Sequence, residues 1–245
     1  MLFKQLKDAD LRGKSVFMRL DLNTPLDASG KIADASRIKA AVASLELVLA
    51  QTHRLCVAAH LGRPQGTQAK FSLAVIGECL AGLLKKEVLL VSDYDKEPID
   101  QLLHKLGKDQ FILLENLRFF PEEKQNQRAF AENLIKGIDV YVNDAFGVVH
   151  RKHASVVAAA ELMPKEQRYP GLLIEKEIQM LEKLKTASSN FTVVVGGSKV
   201  SDKIGAILNL MNFCSDLVIV GAMSYTFMKY LGHKVGKSKY ESNKD

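Results

Sequence analysis

His150, Arg151, Lys152 and His153 stand side by side just after an apolar run, Val140–Val142, with Gly147 between them and the run. An apolar strand that ends in a glycine-containing turn and a cationic cluster is the pattern of an anion-binding loop at the carboxyl edge of a sheet. Taken alone, such a cluster is more often a solvated basic loop. This one has company. Val16–Leu20 leads into Asp21 and Asn23, Leu55–Ala59 into His60, Gly62 and Arg63, and Phe111–Leu114 into Glu115, Asn116 and Arg118. Farther along, Phe191–Val195 opens onto GGSKVSDK and Leu217–Val220 onto GAMSYTF. Guanidinium forks match phosphate oxygens better than lysine point charges do. Arg63, Arg118 and Arg151, each just past an apolar run, therefore point to recognition of a small anion.

Something must bring these residues together. Segments with helical periodicity lie between the runs, such as Ile38, Val42, Leu45 and Val48 in SRIKAAVASLELVLAQ. Alternation of strand and helix implies crossover connections and a parallel sheet, in which all strand carboxyl ends share one edge. Polar residues from position 19 to 203 would then converge on one cleft or on two facing ones. Helix starts carry a second signal. Arg37 opens a helix, where a cation opposes the macrodipole at a cost of about 0.3–1 kcal/mol. Lys199 and Lys203 crowd the first turn expected after GGSKVSDK, next to glycines that let backbone amides approach phosphate. Local rules broken in this way often mark a site, although solvated side chains serve as well on the helix argument alone.

The net charge of +6 and pI near 9.1 raise the question of nucleic acid. No block of five like charges, no zinc-ligand spacing and no aromatic RNA-binding signature supports it, and a small polyanionic substrate accounts for the excess. Cys56, Cys79 and Cys214 are odd in number and far apart, which suits reduced thiols in the cytoplasm. The first ten residues, MLFKQLKDAD, lack an apolar core of signal-peptide length, and no stretch approaches the roughly 18 apolar residues of a membrane span. Two near-motifs fail. Gly232 and Gly236-Lys237-Ser238 are one residue short of a P-loop, and His150 and His153 lack further clustered ligands for a metal.

The prolines of MPKEQRYPG, 163–171, mark a boundary, and a helical pattern with Leu173, Ile178, Leu181 and Leu184 on one face follows it. The expected fold is α/β: a parallel-sheet, Rossmann-like first domain over residues 1–170, a connecting helix over 171–187, and an incomplete second Rossmann-like unit over 188–245. The last segment has room for only two or three strands.

In order, RLDLNTPL, the Ser36-Arg37 pair of ASRIKA, HLGRP, ENLRFFPEE, NDAFGVVHRKHAS, GGSKVSDKI and GAMSYTFMKYLGHKVGKS resemble the conserved segments of the phosphoglycerate kinases, from Arg19 to Ser238. The resemblance implies reversible phosphoryl transfer between 1,3-bisphosphoglycerate and ADP, giving 3-phosphoglycerate and ATP. It gives Arg37 and Lys199 catalytic roles. Asp21, Asn23, Arg37, His60, Gly62, Arg63, Arg118 and Arg151 become contacts for 3-phosphoglycerate. Gly197, Lys199, Lys203 and Gly221 become contacts for ATP or ADP, with Mg2+ carried by the nucleotide and no metal ligand assigned to this chain. Many members of the family carry a further glycine where this chain has Val220 or Ala222. The implied protein is cytoplasmic, binds neither nucleic acid nor membrane, and is monomeric in its complete form. Members of the family continue well past residue 245, so the alternative is a truncated, inactive module that binds 3-phosphoglycerate.

Overall fold

A computed structural model describes residues 4–93, 98–186 and 191–242. The chain divides into two compact units, Met1–Glu177 and Ile178–Asp245. In the first, six parallel strands stand in the order β3-β4-β2-β1-β5-β6: β1 Val16–Leu20, β2 Leu55–Ala58, β3 Glu87–Val91, β4 Gln110–Leu114, β5 Val140–Asp144 and β6 Arg168–Pro170. The fold is α/β, as expected. Two of these strands escape the reading of apolar runs. β3 is a half-exposed edge, and β6 is three residues long and ends in a proline that only an edge tolerates.

Period-two alternation splits the central strands between two cores. Val16, Met18 and Leu20 face one side with Val57, Leu113 and Val142, where α1 (Ser36–Leu49) and α2 (Ala74–Leu84) pack. Ile38, Ala41, Ser44, Leu45 and Val48 form the buried stripe of α1, and the expected Val42 lies half-buried at its margin. Phe17, Cys56, Ile112 and Tyr141 face the other side, against α3 (Ile99–Lys105), α5 (Arg128–Leu134) and α6 (Ala158–Leu162). A short α4 (Pro121–Lys124) precedes α5. Covered on both faces, the central strands read as continuous apolar runs, as parallel strands do.

From β1 the chain passes to β2 on one side and reaches β1's other neighbour, β5, only after β4. The strand order therefore reverses beside β1, and ligands in such sheets bind beyond the strand ends at that point.

Helix α7 (Leu172–Thr186) follows β6, and the expected ends of the connecting segment at 187 and of its successor at 188 lie outside the described residues. In the second unit, β7 (Thr192–Gly196) and β8 (Asp216–Val220) pair in parallel and are followed by α8 (Ile204–Met211) and α9 (Ala222–Tyr230).

Candidate anion-binding site

The expected residues of the first unit meet. Asp21, Asn23, Arg37, His60, Gly62, Arg63, Arg118 and Arg151 line one cavity of about 230 Å³, together with Gly147 and Val148. Each arrives from beyond a strand: Asp21 and Asn23 after β1, His60, Gly62 and Arg63 after β2, Arg118 after β4, and Gly147 and Arg151 after β5. Arg37 is the second residue of α1, and the helix start is balanced by Asp34, whose carboxylate accepts from the Ser36 amide at 2.8 Å. Sharing Arg63, Arg118 and Arg151 with this cavity, a basic recess is lined in addition by Lys124 and His153.

The loops are tied to one another before any ligand arrives. Asn23 accepts from the Gly62 amide at 2.8 Å, and Arg118 donates through Nη1 to the Gly62 carbonyl at 2.6 Å. Gly62 has a φ of +62°, and a Cβ there would stand 2.4 Å from the Phe71 ring, so only glycine fits. Gly147 lets its backbone lie against the Asp21 carboxylate, since a Cβ would fall 2.4 Å from Oδ2. Asn116, fully enclosed, uses its amide on four backbone groups: it accepts from Leu61 and Arg118 and donates to Leu61 and Phe71. Glu115 accepts from the Ser72 hydroxyl and the Leu73 and Asn116 amides. These two acidic and amide side chains were legible only as polar residues after a strand; their work is to hold the β2 and β4 loops together.

Cations dominate the electrostatics. Burial first, then Arg151, Arg19 and Arg63, pulls Arg118 down to about 10, which leaves it charged at neutral pH. Burial and the guanidiniums of Arg19, Arg118 and Arg151 push His60 far below the ordinary histidine value, so its imidazole is neutral. His153 falls to about 4 for the same reasons, burial leading. Glu123 lies 3.8 Å from Nδ1 of His153, too far for a hydrogen bond, and the surrounding cations outweigh it. Asp21 is the one carboxylate among the cavity's lining residues. Its Oδ2 accepts from Arg37, while its Oδ1 is buried without a partner among the described residues. A cluster of guanidiniums beside a neutral imidazole and an orphaned carboxylate oxygen suits a ligand that is anionic and also donates a hydrogen bond.

In the second unit, Gly197 and Gly221 lie at the carboxyl ends of β7 and β8, and the Met223 amide donates to the Gly197 carbonyl at 3.0 Å. Gly221 takes a φ of +70° at the start of α9. Lys203 caps α8, but Lys199 does not enter its first turn as the sequence led us to expect. The backbone turns first, over Val200–Lys203, where the Glu241 carboxylate accepts from the Val200 and Ser201 amides at 2.8 and 3.0 Å. Lys199 and Lys203 are both exposed. A larger cavity of about 620 Å³ in this unit, bounded by Ile204, Phe227 and Tyr230, includes none of the four expected nucleotide contacts.

The model of the family described as phosphoglycerate kinase matches residues 6–245. This chain belongs to the phosphoglycerate kinase family. It is 42% identical over 245 residues to a phosphoglycerate kinase of Nitratiruptor sp., covering 99% of this chain and 61% of that protein. It is 42% identical over 240 residues to the cytosolic phosphoglycerate kinase 3 of Arabidopsis thaliana, covering 98% and 59%. The solved structure of phosphoglycerate kinase from Coxiella burnetii superposes with a TM-score of 0.82 at 32% identity, over 98% of this chain and 60% of that one. The chain thus spans about three fifths of the length of the phosphoglycerate kinases it matches.

Two features of this chain went unassigned in the sequence. Gly147 and Val148 complete the cavity wall, and the only signal for them was their place between the β5 run and the basic cluster. Arg19, which opens the RLDLNTPL segment, has no task in the sequence reading. It lies within β1 with no exposed surface.

Proposed function

We propose that this chain carries the acceptor site and part of the nucleotide site of a phosphoglycerate kinase, which transfers a phosphoryl group reversibly between 1,3-bisphosphoglycerate and ADP to give 3-phosphoglycerate and ATP. The observation that carries this reading is the convergence of Arg37, Arg63, Arg118 and Arg151 with Asp21 in one cavity of about 230 Å³. Arg63, Arg118 and Arg151 hold the phosphate, with the Arg118 fork pre-set by its bond to the Gly62 carbonyl. Arg37, half exposed and bonded to Asp21, meets the carboxyl end and offsets charge during transfer. The free Oδ1 of Asp21 accepts the glycerate hydroxyl, and Asn23 keeps the His60–Arg63 loop in register.

Phosphoryl transfer asks a protein mainly for positioning and charge stabilisation. The acceptor carboxylate is already ionised at neutral pH, so no general base is needed. Gly197 and Gly221 suit close approach of nucleotide phosphates, and Lys199 and Lys203 supply their counter-charge, Lys199 over the group in flight. Magnesium arrives with the nucleotide. Among the described residues no group of three or more His, Cys, Asp or Glu is placed to hold a metal. The division into an acceptor part over 1–170, a linking helix over 171–187 and a nucleotide part over 188–245 belongs to this reading, as do a cytoplasmic location and a monomeric complete protein. The three cysteines are unpaired, in keeping with a reducing compartment, and no described helix is long and apolar enough to cross a membrane.

A second reading, an anion-binding module without turnover, is favoured by one fact: all eight expected 3-phosphoglycerate contacts lie within the first unit. Calorimetric titration of the chain with 3-phosphoglycerate tests what the two share. Binding that weakens with ionic strength is expected, and no heat from a folded sample would overturn both. A coupled assay with ATP separates them, since measurable turnover rules out the second.

A further inference from the structure

We propose that Arg19 is a positioning residue that fixes the imidazole of His60 as the Nε2–H tautomer, so that the cavity meets a hydrogen-bond donor there and not a lone pair. The inference deepens the proposed function and rests on it for the identity of the ligand.

A guanidinium has five N–H donors and nothing that accepts. Nη2 of Arg19 lies 3.0 Å from Nδ1 of His60. In that bond Nδ1 must be the acceptor, which leaves the imidazole proton on Nε2. The rest of the Arg19 head is held as firmly. Its Nε donates to the Ser155 hydroxyl at 2.9 Å, and its Nη1 donates to the Leu20 carbonyl. Ser155 in turn donates from its hydroxyl to one oxygen of Glu123 at 2.6 Å and from its amide to the other at 2.8 Å. Because the Ser155 proton goes to the carboxylate, its lone pair faces Arg19. Each role in the series Glu123, Ser155, Arg19, His60 is therefore set by the one before it.

Arg19, Glu123 and Ser155 have no exposed surface, so water cannot exchange these roles. None of the three lines the cavity, whereas His60 does, beside Arg118 and Arg151. With Nδ1 occupied, Nε2 is the polar atom left for a ligand. Burial and the guanidiniums around it keep the ring neutral. His60 thus adds direction without adding charge: it favours ligands that offer an acceptor oxygen at that wall, as a phosphate or carboxylate does. The buried carboxylate of Glu123 supplies the counter-charge that lets a guanidinium sit within the sheet, through one intervening hydroxyl.

The imidazole of His60 can be read directly by long-range proton–nitrogen NMR correlation on the ligand-free chain. The expected wild-type pattern is an unprotonated Nδ1 and a protonated Nε2. Arg19→Met should replace it with a mixture of tautomers and weaken 3-phosphoglycerate binding by about tenfold, the worth of one charge-assisted hydrogen bond. Arg19→Lys keeps the charge but not the fork, so it should also mix the tautomers and recover little of the affinity. A wild-type His60 protonated on Nδ1, or on both nitrogens, would overturn the proposal whatever the variants do. So would a folded Arg19→Met with an unchanged imidazole spectrum, or an Arg19→Lys with mixed tautomers and full affinity. If the wild type shows the expected tautomer but never binds 3-phosphoglycerate, the functional reading fails, and the spectra of the variants still decide the role of Arg19.

Discussion

Arg37 and Asp21 bind each other in the cavity wall, yet only one oxygen of the carboxylate is used: Arg37 donates to Oδ2, and Oδ1 stays buried with no partner among the described residues. The pair is asymmetric in exposure as well, with the Arg37 side chain half open to solvent and that of Asp21 enclosed. An acidic group in an anion site opposes binding by charge. It earns its place only through a hydrogen bond that the ligand donates.

That conflict of signs makes Asp21→Asn informative. Removing the charge should leave the affinity for inorganic phosphate unchanged or raise it. With Arg37 holding the one amide oxygen, the NH2 group takes the place of Oδ1, and 3-phosphoglycerate should weaken because its hydroxyl then meets a donor in place of an acceptor. The ratio of the two affinities is expected to fall about tenfold, the order of one hydrogen bond to a charged group. Calorimetry with both ligands checks it; an equal change for both would mean that Asp21 acts by charge alone.

The site was more legible than its scaffold. Arginines after apolar runs are visible because a parallel sheet brings all its strand ends to one edge, whatever the separation in sequence. The residues that hold the loops there are not visible in the same way. Asn116 and Glu115 bond groups more than 40 positions away, and nothing local in ENLRF says so. Arg19 reads as a polar interruption of a strand, although it is enclosed and bonded to His60 and Ser155. The misplaced Lys199 has a similar cause, since the turn that keeps it out of α8 is held by Glu241, some 40 residues later. β6 was missed because a three-residue edge strand lacks the double burial that makes the central runs apolar, whereas β3 holds an apolar run, Val88–Val91, that leads into SDYDKE and not into a cationic loop.

Gly62 should be the least replaceable residue of the cavity wall. A side chain there faces a left-handed backbone and the Phe71 ring at once. Gly62→Ala is expected to destabilise the first unit by about 2 kcal/mol or more. Since the Gly62 amide and carbonyl are the partners of Asn23 and Arg118, it should also weaken 3-phosphoglycerate binding under conditions where the variant is folded. Urea unfolding and titration of the same sample test both. Wild-type stability in Gly62→Ala would show that the loop relaxes at little cost.

Stability should fall on mild acidification, and His153 gives the sign. An unfolded histidine takes up its proton near pH 6.5, whereas burial, followed by Arg118, Arg19, Arg151 and Lys124, holds folded His153 to about 4. His60 shifts in the same direction, with burial again the first cause. Between these values the unfolded chain binds more protons, so the free energy of unfolding drops as pH falls through this window. Asp144, raised by burial, works the other way, which is why a comparison is needed. The urea midpoint of wild type should decline from pH 7 to pH 5 more steeply than that of His153→Gln. Parallel declines would mean that His153 titrates normally in the folded protein.

The second unit should make this chain associate. Its two-stranded sheet leaves Val194 65% exposed and Val218 43%, and Leu208, Met211 and Leu231 on the elements after β7 and β8 are each more than half exposed. Within the unit, Val193, Ile207 and Met223 are the buried apolar side chains among the described residues. Scattered surface apolar residues are ordinary, but a pair of β-strands with apolar side chains open on a sheet face invites another chain. Sedimentation velocity over a concentration series is expected to show a shift from monomer to larger species. Val194→Lys combined with Leu208→Lys should move that transition to concentrations several-fold higher. Calorimetric affinity for 3-phosphoglycerate should be unchanged in the double variant, because all eight expected contacts lie in the first unit. A chain that sediments as a monomer throughout, or a double variant that associates like the wild type, would show that this apolar surface does not drive self-association.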